Sequence, residues 1–406
     1  MTDSATTKPR FTIAGTGCCL LDYIYGRVDF EAAAFKRYLS RTHGDGGLEP
    51  GKLSFTEDFE AFSGRELESA LAEITAGKPV DAVNIGGPSV VALIHAAQIL
   101  DPARFAVRFV GAVGADEEGR ELRRQLARTP LASAELIAKS ERTPRTIVLS
   151  DPGFDHGRGE RSFLNTIGAA GQLVDDDLDE AFFAADLVAF GGTGLVPEIH
   201  DALDRLLARA KRTGAFTVVN TVYDFRHQRQ NPSARWPLGS SDDSYRLTDL
   251  LIADHEEALR LSGTATLDEA LAFFIARGVG AVIVTNGSRE VALSIGSDRY
   301  TPSTTTRLPV SQAIVSELSE HPELKGDTTG CGDNFAGGVI ADVARQLEAG
   351  ASQVDLTEAI AWGAVSGGLA CFDFGGVHYE SHAGEKLAMM KPYLDAYRRS
   401  SPNRTA

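Results

Sequence analysis

Short apolar runs and stretches with a helical period alternate along the chain. The apolar runs occupy positions 11–14, 107–113, 146–149, 187–190, 216–219, 250–252 and 282–285. Between several of them, apolar side chains recur at helical spacing, at positions 90–100, 117–127, 199–212 and 267–276. The first pattern predicts buried strands and the second predicts helices. Their alternation predicts βαβ units, so we expect an α/β fold with a mostly parallel central sheet and helices on both faces.

Two long segments interrupt this alternation. Residues 26–82 follow the first predicted strand and contain a predicted helix at 66–75, and residues 151–171 are polar and rich in glycine. Insertions of this length form lids or binding loops in some proteins and decorate the surface in others. We interpret residues 1–400 as one domain in which both insertions build a small lid, and residues 400–406 as a flexible tail.

The composition excludes several classes of protein. The 406 residues carry a formal net charge of −16, which argues against nucleic acid as a partner. The longest apolar runs are about half the length needed to cross a membrane, and the polar first ten residues do not resemble a signal peptide. The four cysteines, at positions 18, 19, 331 and 371, contain no CxxC pair and predict neither a disulfide framework nor a zinc site. We therefore expect a reduced, cytoplasmic protein.

The segment 327–350, DTTGCGDNFAGGVIADVARQLEAG, carries the most chemical information. Its apolar residues predict a helix that follows the glycine-rich loop Gly330-Cys331-Gly332. Backbone N–H groups at a helix start point outward, and the helix dipole adds positive charge, so this loop suits a phosphate group. Asp333 beside such a loop is either a helix cap or a general base that takes the proton of an attacking hydroxyl.

This segment resembles a family signature. DTTGCGDNFAGG is similar to the pattern DTxGAGDxFxGG of the PfkB/ribokinase family of carbohydrate and nucleoside kinases, with Cys331 in place of alanine. Other similar segments follow in family order: the opening strand up to Asp22, the pair Gly86-Gly87, GAVGADEEG at 111–119, the stretch around Asp254 and VTNG at 284–287. Since they cover nearly the whole chain, the resemblance implies a ribokinase-like three-layer sandwich with a small lid.

The resemblance also implies an activity, the ATP-dependent phosphorylation of a hydroxyl on a sugar or nucleoside. Asp333 would be the general base, and the backbone of Gly330, Cys331 and Gly332 would bind the transferring phosphoryl group. ATP and Mg²⁺ are the expected cofactors, with a monovalent cation as a further candidate. The expected partner is a small-molecule sugar or nucleoside, and a homodimer through the lid is a further expectation.

The implied binding residues come from separate parts of the chain. Glu257 would hold Mg²⁺ through water. The expected nucleotide-binding residues are Asp254, Thr285, Gly287 and Gly332. The expected substrate-binding residues are Asp22, Gly86, Gly87, Val91 and Asn165. Asn165, like Arg161 and Thr146 near the second insertion, either contacts the substrate or belongs to a solvated loop.

Two departures from the family pattern leave an alternative open. Val91 stands where sugar kinases of the family carry asparagine, and Asp254 also replaces an asparagine. The lost amide at Val91 would remove a polar contact to the substrate. The alternative function is therefore a non-catalytic nucleotide- or sugar-binding regulatory protein on the same scaffold. For a kinase, Val91 and the insertion 26–82 favour a substrate with an apolar or aromatic part, such as a nucleoside.

Overall fold

A large, mostly parallel sheet forms the centre of the molecule. The computed structural model describes residues 10–42, 44–131, 134–157, 159–301, 306–326 and 328–400. The strands in these residues are β1 (Phe11–Gly17), β2 (Leu20–Tyr25), β3 (Leu53–Phe55), β4 (Ala82–Gly86), β5 (Phe105–Gly114), β6 (Glu135–Lys139), β7 (Arg145–Asp151), β8 (Glu160–Thr166), β9 (Leu187–Gly191), β10 (Phe216–Asn220), β11 (Leu250–Asp254), β12 (Ala281–Thr285), β13 (Glu290–Ile295) and β14 (Thr306–Pro309). Nine of these described strands form the central sheet, in the order β14-β13-β12-β11-β10-β9-β1-β5-β6. All neighbours from β12 to β6 are parallel, and β13 and β14 pair antiparallel, so the predicted sheet is confirmed.

Helices cover both faces of this sheet. The helices are α1 (Ala33–Lys36), α2 (Thr56–Ser63), α3 (Leu67–Ile74), α4 (Pro88–Ile99), α5 (Glu117–Leu126), α6 (Phe154–Gly157), α7 (Glu180–Phe183), α8 (Pro197–Asp201), α9 (Leu203–Arg212), α10 (Phe225–Gln230), α11 (Asp243–Arg246), α12 (His255–Ser262), α13 (Leu267–Ala276), α14 (Gln312–Glu320), α15 (Cys331–Glu348), α16 (Leu356–Leu369) and α17 (Glu385–Ser400). The predicted helix at 199–212 is divided into α8 and α9. None of the helices in the described ranges has the length and apolar character needed to cross a membrane.

Successive residues of the central strands enter two separate hydrophobic cores. Ile13 and Leu187 belong to the core covered by α4, α5 and α14 to α17. Their neighbours Ala14 and Val188 belong to the core covered by α7 to α9, α12 and α13. Because side chains of a strand alternate between its faces, this division shows that the sheet is buried on both sides. The expected three-layer arrangement is therefore confirmed.

A smaller sheet of five described strands has the order β3-β8-β7-β2-β4. The two insertions supply only β3 and β8, and the other strands come from the segments that flank the insertions. The predicted strand at 146–149 therefore lies in this sheet and not in the central one. β1 ends at Gly17, so Asp22 lies on the next strand, β2. At Gly17 a Cβ would stand 1.8 Å from the carbonyl oxygen of Gly191. The close approach of these two backbones marks the point at which the chain leaves the central sheet.

One face of the smaller sheet has its own hydrophobic core. Ile147, Leu149 and Leu164 pack there with Phe35 and Phe59 and with apolar residues of α3. The insertion 26–82 is thus folded against the outer face of this sheet. Since side chains alternate along each strand, the residues between these apolar positions, among them Thr146 and Asn165, lie on the opposite face.

Candidate active site

Polar residues lie at the carboxyl ends of two adjacent central strands. Asp254 ends β11 and pairs in register with Thr285, which ends β12. Helix α12 follows at once and begins with a capping box. In it, Oδ1 of Asp254 accepts a hydrogen bond of 2.8 Å from the N–H of Glu257, and Oε2 of Glu257 accepts one of 3.1 Å from the N–H of Asp254. Asp254 therefore performs the capping that an asparagine would perform here.

The carboxylate of Glu257 is buried and lies near other negative charge. It accepts a further hydrogen bond of 2.6 Å from Oγ1 of Thr221. Burial, and then the nearby charges of Asp254 and Asp333, raise the pKa of Glu257 to about 8. A buried acid of this kind lacks a compensating positive charge. The site therefore has the electrostatic character of a cation-binding position.

The predicted anion loop opens into α15 as expected. Gly330 is the N-cap residue and has a φ of 77°, in the left-handed region. A Cβ on Gly330 would stand 2.4 Å from Cα of Gly376, so the backbones touch. A Cβ on Gly332 would meet open space, and this residue is exposed. Gly376 thus supports the start of the helix on one side, and the side of Gly332 is open to a ligand, as an anion site requires. Asp327, the first residue of the family signature, lies outside the described residues.

Asp333 is the third residue of α15, and its side chain does not cap the helix. No side-chain capping bond forms at the N-cap, and no donor among the described residues hydrogen-bonds the Asp333 carboxylate. Burial alone raises its pKa to about 6. A carboxylate left without donors in a half-buried position beside an anion loop is unfavourable for folding. That cost weakens the interpretation of Asp333 as a structural residue.

A buried lysine behind the loop was not predicted from the sequence. Nζ of Lys386 donates a hydrogen bond of 2.9 Å to Oδ1 of Asn334. Nδ2 of Asn334 in turn donates to the carbonyl oxygens of Gly330, at 2.9 Å, and Gly376, at 2.8 Å. Burial lowers the pKa of Lys386 to about 8. Through Asn334 the lysine holds the anion loop and adds positive charge behind it.

A row of polar residues crosses the smaller sheet. Asn84, Asp22, Thr146 and Asn165 occupy matching positions on β4, β2, β7 and β8, and all four are buried. Nδ2 of Asn165 donates a hydrogen bond of 2.9 Å to Oγ1 of Thr146. Phe55 of β3 continues the row at the edge of the sheet. Asn165 therefore belongs to a strand that carries the same row as Asp22, and not to a solvated loop.

Gly86 and Gly87 allow the chain to pass close beneath Asp22. A Cβ on Gly86 would stand 2.2 Å from Oδ2 of Asp22, and one on Gly87 would stand 2.3 Å from the carbonyl oxygen of Cys18. Burial, followed by the charges of Asp22 and Asp333, raises the pKa of Cys18 to about 12. The negative charges of Asp22 and Asp333 thus both act on the Cys18 thiol.

The smaller sheet also touches the anion loop directly. Nη1 of Arg161, on β8, donates a hydrogen bond of 2.9 Å to Oγ1 of Thr329. The guanidinium lies 5.3 Å from the ring centre of Phe163 on the same strand. A positive charge therefore reaches the loop from the second insertion in a chain that is acidic as a whole. The sequence pointed to Arg161 only as one polar residue of that insertion.

A cavity of about 540 Å³ separates the smaller sheet from the carboxyl edge of the central sheet. Aromatic side chains line it from both sides, Phe55 and Phe163 from the smaller sheet and Tyr223 and Phe225 from the segment after β10. The rings of Phe55 and Phe225 lie edge to face, with centroids 5.7 Å apart. Asp254, Glu256 and Glu257 form its acidic end.

A cluster of two histidines and an aspartate lies beside Phe225 in the wall of this cavity, and the spacing of these residues in the sequence did not predict it. His200, Asp224 and His227 bring potential ligand atoms within 4.8 Å of one another. Nδ1 of His227 lies 2.6 Å from Oδ2 of Asp224, and Nδ1 of His200 lies 3.1 Å from Oγ1 of Thr193. These bonds hold the start of α10, which carries Phe225.

Two of the predicted site residues lie apart from this group. Val91 is 1% exposed and belongs to the hydrophobic core, where a Cβ on Gly376 would stand 3.1 Å from one of its methyl groups. Its side chain therefore supports the loop that backs Gly330 and does not line the cavity. Gly287 is exposed in the turn after β12, with open space around its Cα. Of the other predicted residues, Asp254 and Glu257 line the cavity, whereas Asp22, Gly86 and Asn165 lie on the smaller sheet and Cys331, Gly332 and Asp333 lie at the start of α15.

An α/β fold with a glycine-rich loop at a helix start beside carboxylates is typical of one class of phosphotransferases. Residues 85–381 match the pattern described as pfkB family carbohydrate kinase, and the chain belongs to this family. Membership makes it a kinase of the sugar and nucleoside group and implies ATP as co-substrate.

Individual relatives agree with this class. A fructokinase of Salmonella typhimurium is 25% identical over 248 residues, which are 58% of this chain and 70% of that protein. The solved adenosine kinase from Schistosoma mansoni in complex with 2-fluoroadenosine superposes with a TM-score of 0.68 at 18% identity, over 91% of this chain and 97% of the other. A probable sugar kinase from Rhizobium etli CFN 42 gives 0.65 at 18% identity, over 95% and 100%. The fold is thus ribokinase-like.

Proposed function

We propose that this protein transfers the γ-phosphoryl group of ATP to a hydroxyl of a small acceptor, with Asp333 as the general base. The observation that carries the proposal is the position of Asp333. Its carboxylate has no hydrogen-bond donor among the described residues and stands beside the open anion loop, and its charge, like that of Asp22, acts on the Cys18 thiol. A raised pKa of about 6 leaves it ionised at neutral pH and able to accept a proton.

The transfer can be written with these residues. Asp22 accepts a hydrogen bond from the acceptor and orients it. Asp333 takes the hydroxyl proton while the hydroxyl oxygen bonds to the γ-phosphorus, and the bond to the bridging oxygen breaks to leave ADP. The N–H groups of Gly330, Cys331 and Gly332 stabilise the charge on the transferring group. Thr285 and Gly287 would lie on the side of the nucleotide.

Glu257 and Asp254 suit a magnesium ion. Both are carboxylates, the ligand type that Mg²⁺ prefers, and Mg²⁺ is commonly held by one or two carboxylates together with water and phosphate oxygens. The raised pKa of Glu257 marks a place where a cation would relieve repulsion among acidic groups. When bound, the ion would neutralise charge on the ATP phosphates.

The cavity suggests which acceptors bind. Phe55 and Asp22 are three strands apart in the polar row, or about 14 Å. An acceptor with its hydroxyl at Asp22 would have to span this distance to place an aromatic group in the cavity among Phe55, Phe163 and Phe225. A nucleoside has both parts, and the related adenosine kinase is solved with 2-fluoroadenosine. We therefore propose a nucleoside as the acceptor, covered by the smaller sheet acting as a lid.

The test is ADP release from ATP and Mg²⁺ in the presence of a panel of nucleosides and simple sugars. The expected result is release with at least one nucleoside, a larger kcat/KM for it than for any simple sugar, and loss in Asp333→Asn. Phe163→Ala should raise KM for the nucleoside while Asp22→Asn lowers kcat. Preference for a bare sugar would refute the acceptor class. Tight binding of nucleotide without ADP release would instead favour the regulatory alternative.

A further inference from the structure

Two cysteines far apart in sequence meet beside the anion loop. Cys331 is the first residue of α15, and Cys371 lies in a short 3₁₀ turn, Ala370–Phe372, after α16. Their Sγ atoms are 3.2 Å apart. A disulfide bond has an S–S length of about 2.05 Å, so both residues are thiols here. Closing the bond requires the sulfurs to approach by only about 1.2 Å.

These two thiols differ from the other two in the chain. Cys331 and Cys371 are partly exposed. Cys18 and Cys19 are buried, and burial raises the pKa of Cys18 to about 12 and that of Cys19 well above its usual value. The thiolate is the reactive form of cysteine, and buried apolar thiols are inert. A soluble oxidant would therefore select the pair at the loop.

We propose that Cys331 and Cys371 are a reversible thiol–disulfide modification site whose reagent is a small disulfide of the glutathione type. One thiolate attacks a sulfur of the small disulfide, the S–S bond of the reagent breaks, and one small thiolate leaves and takes up a proton. The second cysteine, as thiolate, attacks the protein sulfur of the mixed disulfide and expels the second small thiol. Two electrons pass from the protein to the reagent, so two protein thiols become one disulfide.

The bond would constrain the anion loop. The backbone around Cys331 is tightly held, because a Cβ on Gly330 would lie 2.4 Å from Cα of Gly376 and one on Gly367 would lie 2.8 Å from the carbonyl oxygen of Cys331. The disulfide would add a covalent tie between the first turn of α15 and the turn after α16, so the anion loop could no longer adjust to the transferring group. This effect on the rate rests on the proposed function, in which the N–H of Cys331 binds the transferring group. The disulfide itself does not depend on that proposal.

The disulfide is tested by mass spectrometry on the whole protein after treatment with glutathione disulfide. The expected product is two hydrogens lighter than the untreated chain, contains a cross-linked peptide joining residues 331 and 371, and reverts with dithiothreitol. Cys371→Ser should give no such product, while Cys19→Ala, a matched change at a buried cysteine, should give it unchanged. Separate glutathione adducts without a cross-link, or no reaction, would overturn the proposal.

The consequence for activity is tested on the same samples. Oxidised wild type should lose kcat by about 10²-fold, the usual effect of disturbing one anion-hole donor, and recover with dithiothreitol. Cys371→Ser that carries no glutathione adduct by mass should keep the activity of the reduced protein after the same treatment. A cross-linked wild type with unchanged kcat would overturn the effect on the loop. If no acceptor supports ADP release, the proposed function fails while the mapping of thiols still decides whether the modification site exists.

Discussion

Replacing Asp333 with asparagine is expected to slow the enzyme and to stabilise it. Burial raises the pKa of this carboxyl from 3.8 to about 6. One pKa unit corresponds to about 1.4 kcal/mol, so ionised Asp333 weakens the folded state by at most about 3 kcal/mol at pH 7. The side chain is only half-buried, and solvent screening reduces the figure. We expect Asp333→Asn to raise the free energy of unfolding by about 1–3 kcal/mol and to lower kcat by about 10²–10⁴.

The stabilising effect should depend on pH with a definite sign. Because the pKa of Asp333 is higher in the folded state, its ionisation destabilises the fold. Below the unfolded-state pKa of 3.8 the carboxyl is protonated and this cost is absent; stability is then lost as pH rises through about 6. The gain from asparagine should therefore be about half as large at pH 5 as at pH 7. Urea unfolding at both pH values, with kcat measured on the same preparations, checks both parts.

Asp342 provides a matched control on the same helix. Burial also raises its pKa to about 6, and it lies nine positions further along α15, or about 14 Å. Asp342→Asn should stabilise the protein without lowering kcat. The argument for Asp333 would be refuted if Asp333→Ala lowered the free energy of unfolding by about 1 kcal/mol, as the loss of a helix cap does, and left kcat within about threefold of wild type.

Three further substitutions test other parts of the site. Burial lowers the pKa of Lys386 to about 8, so kcat of the wild type should fall above that pH as the charge is lost. Lys386→Met should have a low kcat that does not fall further at alkaline pH. A pH profile unchanged by this substitution would show that the lysine does not act on the anion loop. Glu257→Gln should raise the Mg²⁺ concentration for half-maximal activity by a larger factor than it raises the acceptor KM. Equal factors would contradict the proposed role of Glu257 in binding Mg²⁺. Val91→Asn buries an amide in the core and should lower the free energy of unfolding by about 1–3 kcal/mol, so an unchanged urea midpoint would contradict the core position of Val91.

The sequence was most informative where the physical requirement is local. A buried parallel strand needs a continuous apolar run followed by a crossover helix, and this pattern predicted the central sheet. The anion loop and Asp333 lie within one contiguous segment, so a single stretch of sequence contained their arrangement. Asp254 at the end of β11 and Glu257 in the first turn of α12 were also recognisable, since a capping box is a pattern of four residues.

Features that depend on distant contacts were not predictable. Lys386 reaches Asn334 across 52 positions, and Arg161 reaches Thr329 across 168. No short stretch of sequence contains both members of such a pair, so local patterns could not predict these contacts. The surroundings of Val91 were equally hidden: its place in a motif predicts contact with the substrate, and the structure packs it in the hydrophobic core against the close backbone of Gly376.

In the proposed function, the polar row of the smaller sheet would make acceptor recognition depend on strand register. Asp22 has Leu21 and Tyr23 as neighbours on β2, and both point to the other face. A one-residue insertion or deletion within β2 would therefore present an apolar side chain where the carboxylate stands and move the carboxylate toward the outer face. Substitutions within the row leave the pleat unchanged. Exchanging single residues of the row would therefore change the chemistry offered to the acceptor, whereas a change in the length of β2 would disturb the register of the whole sheet.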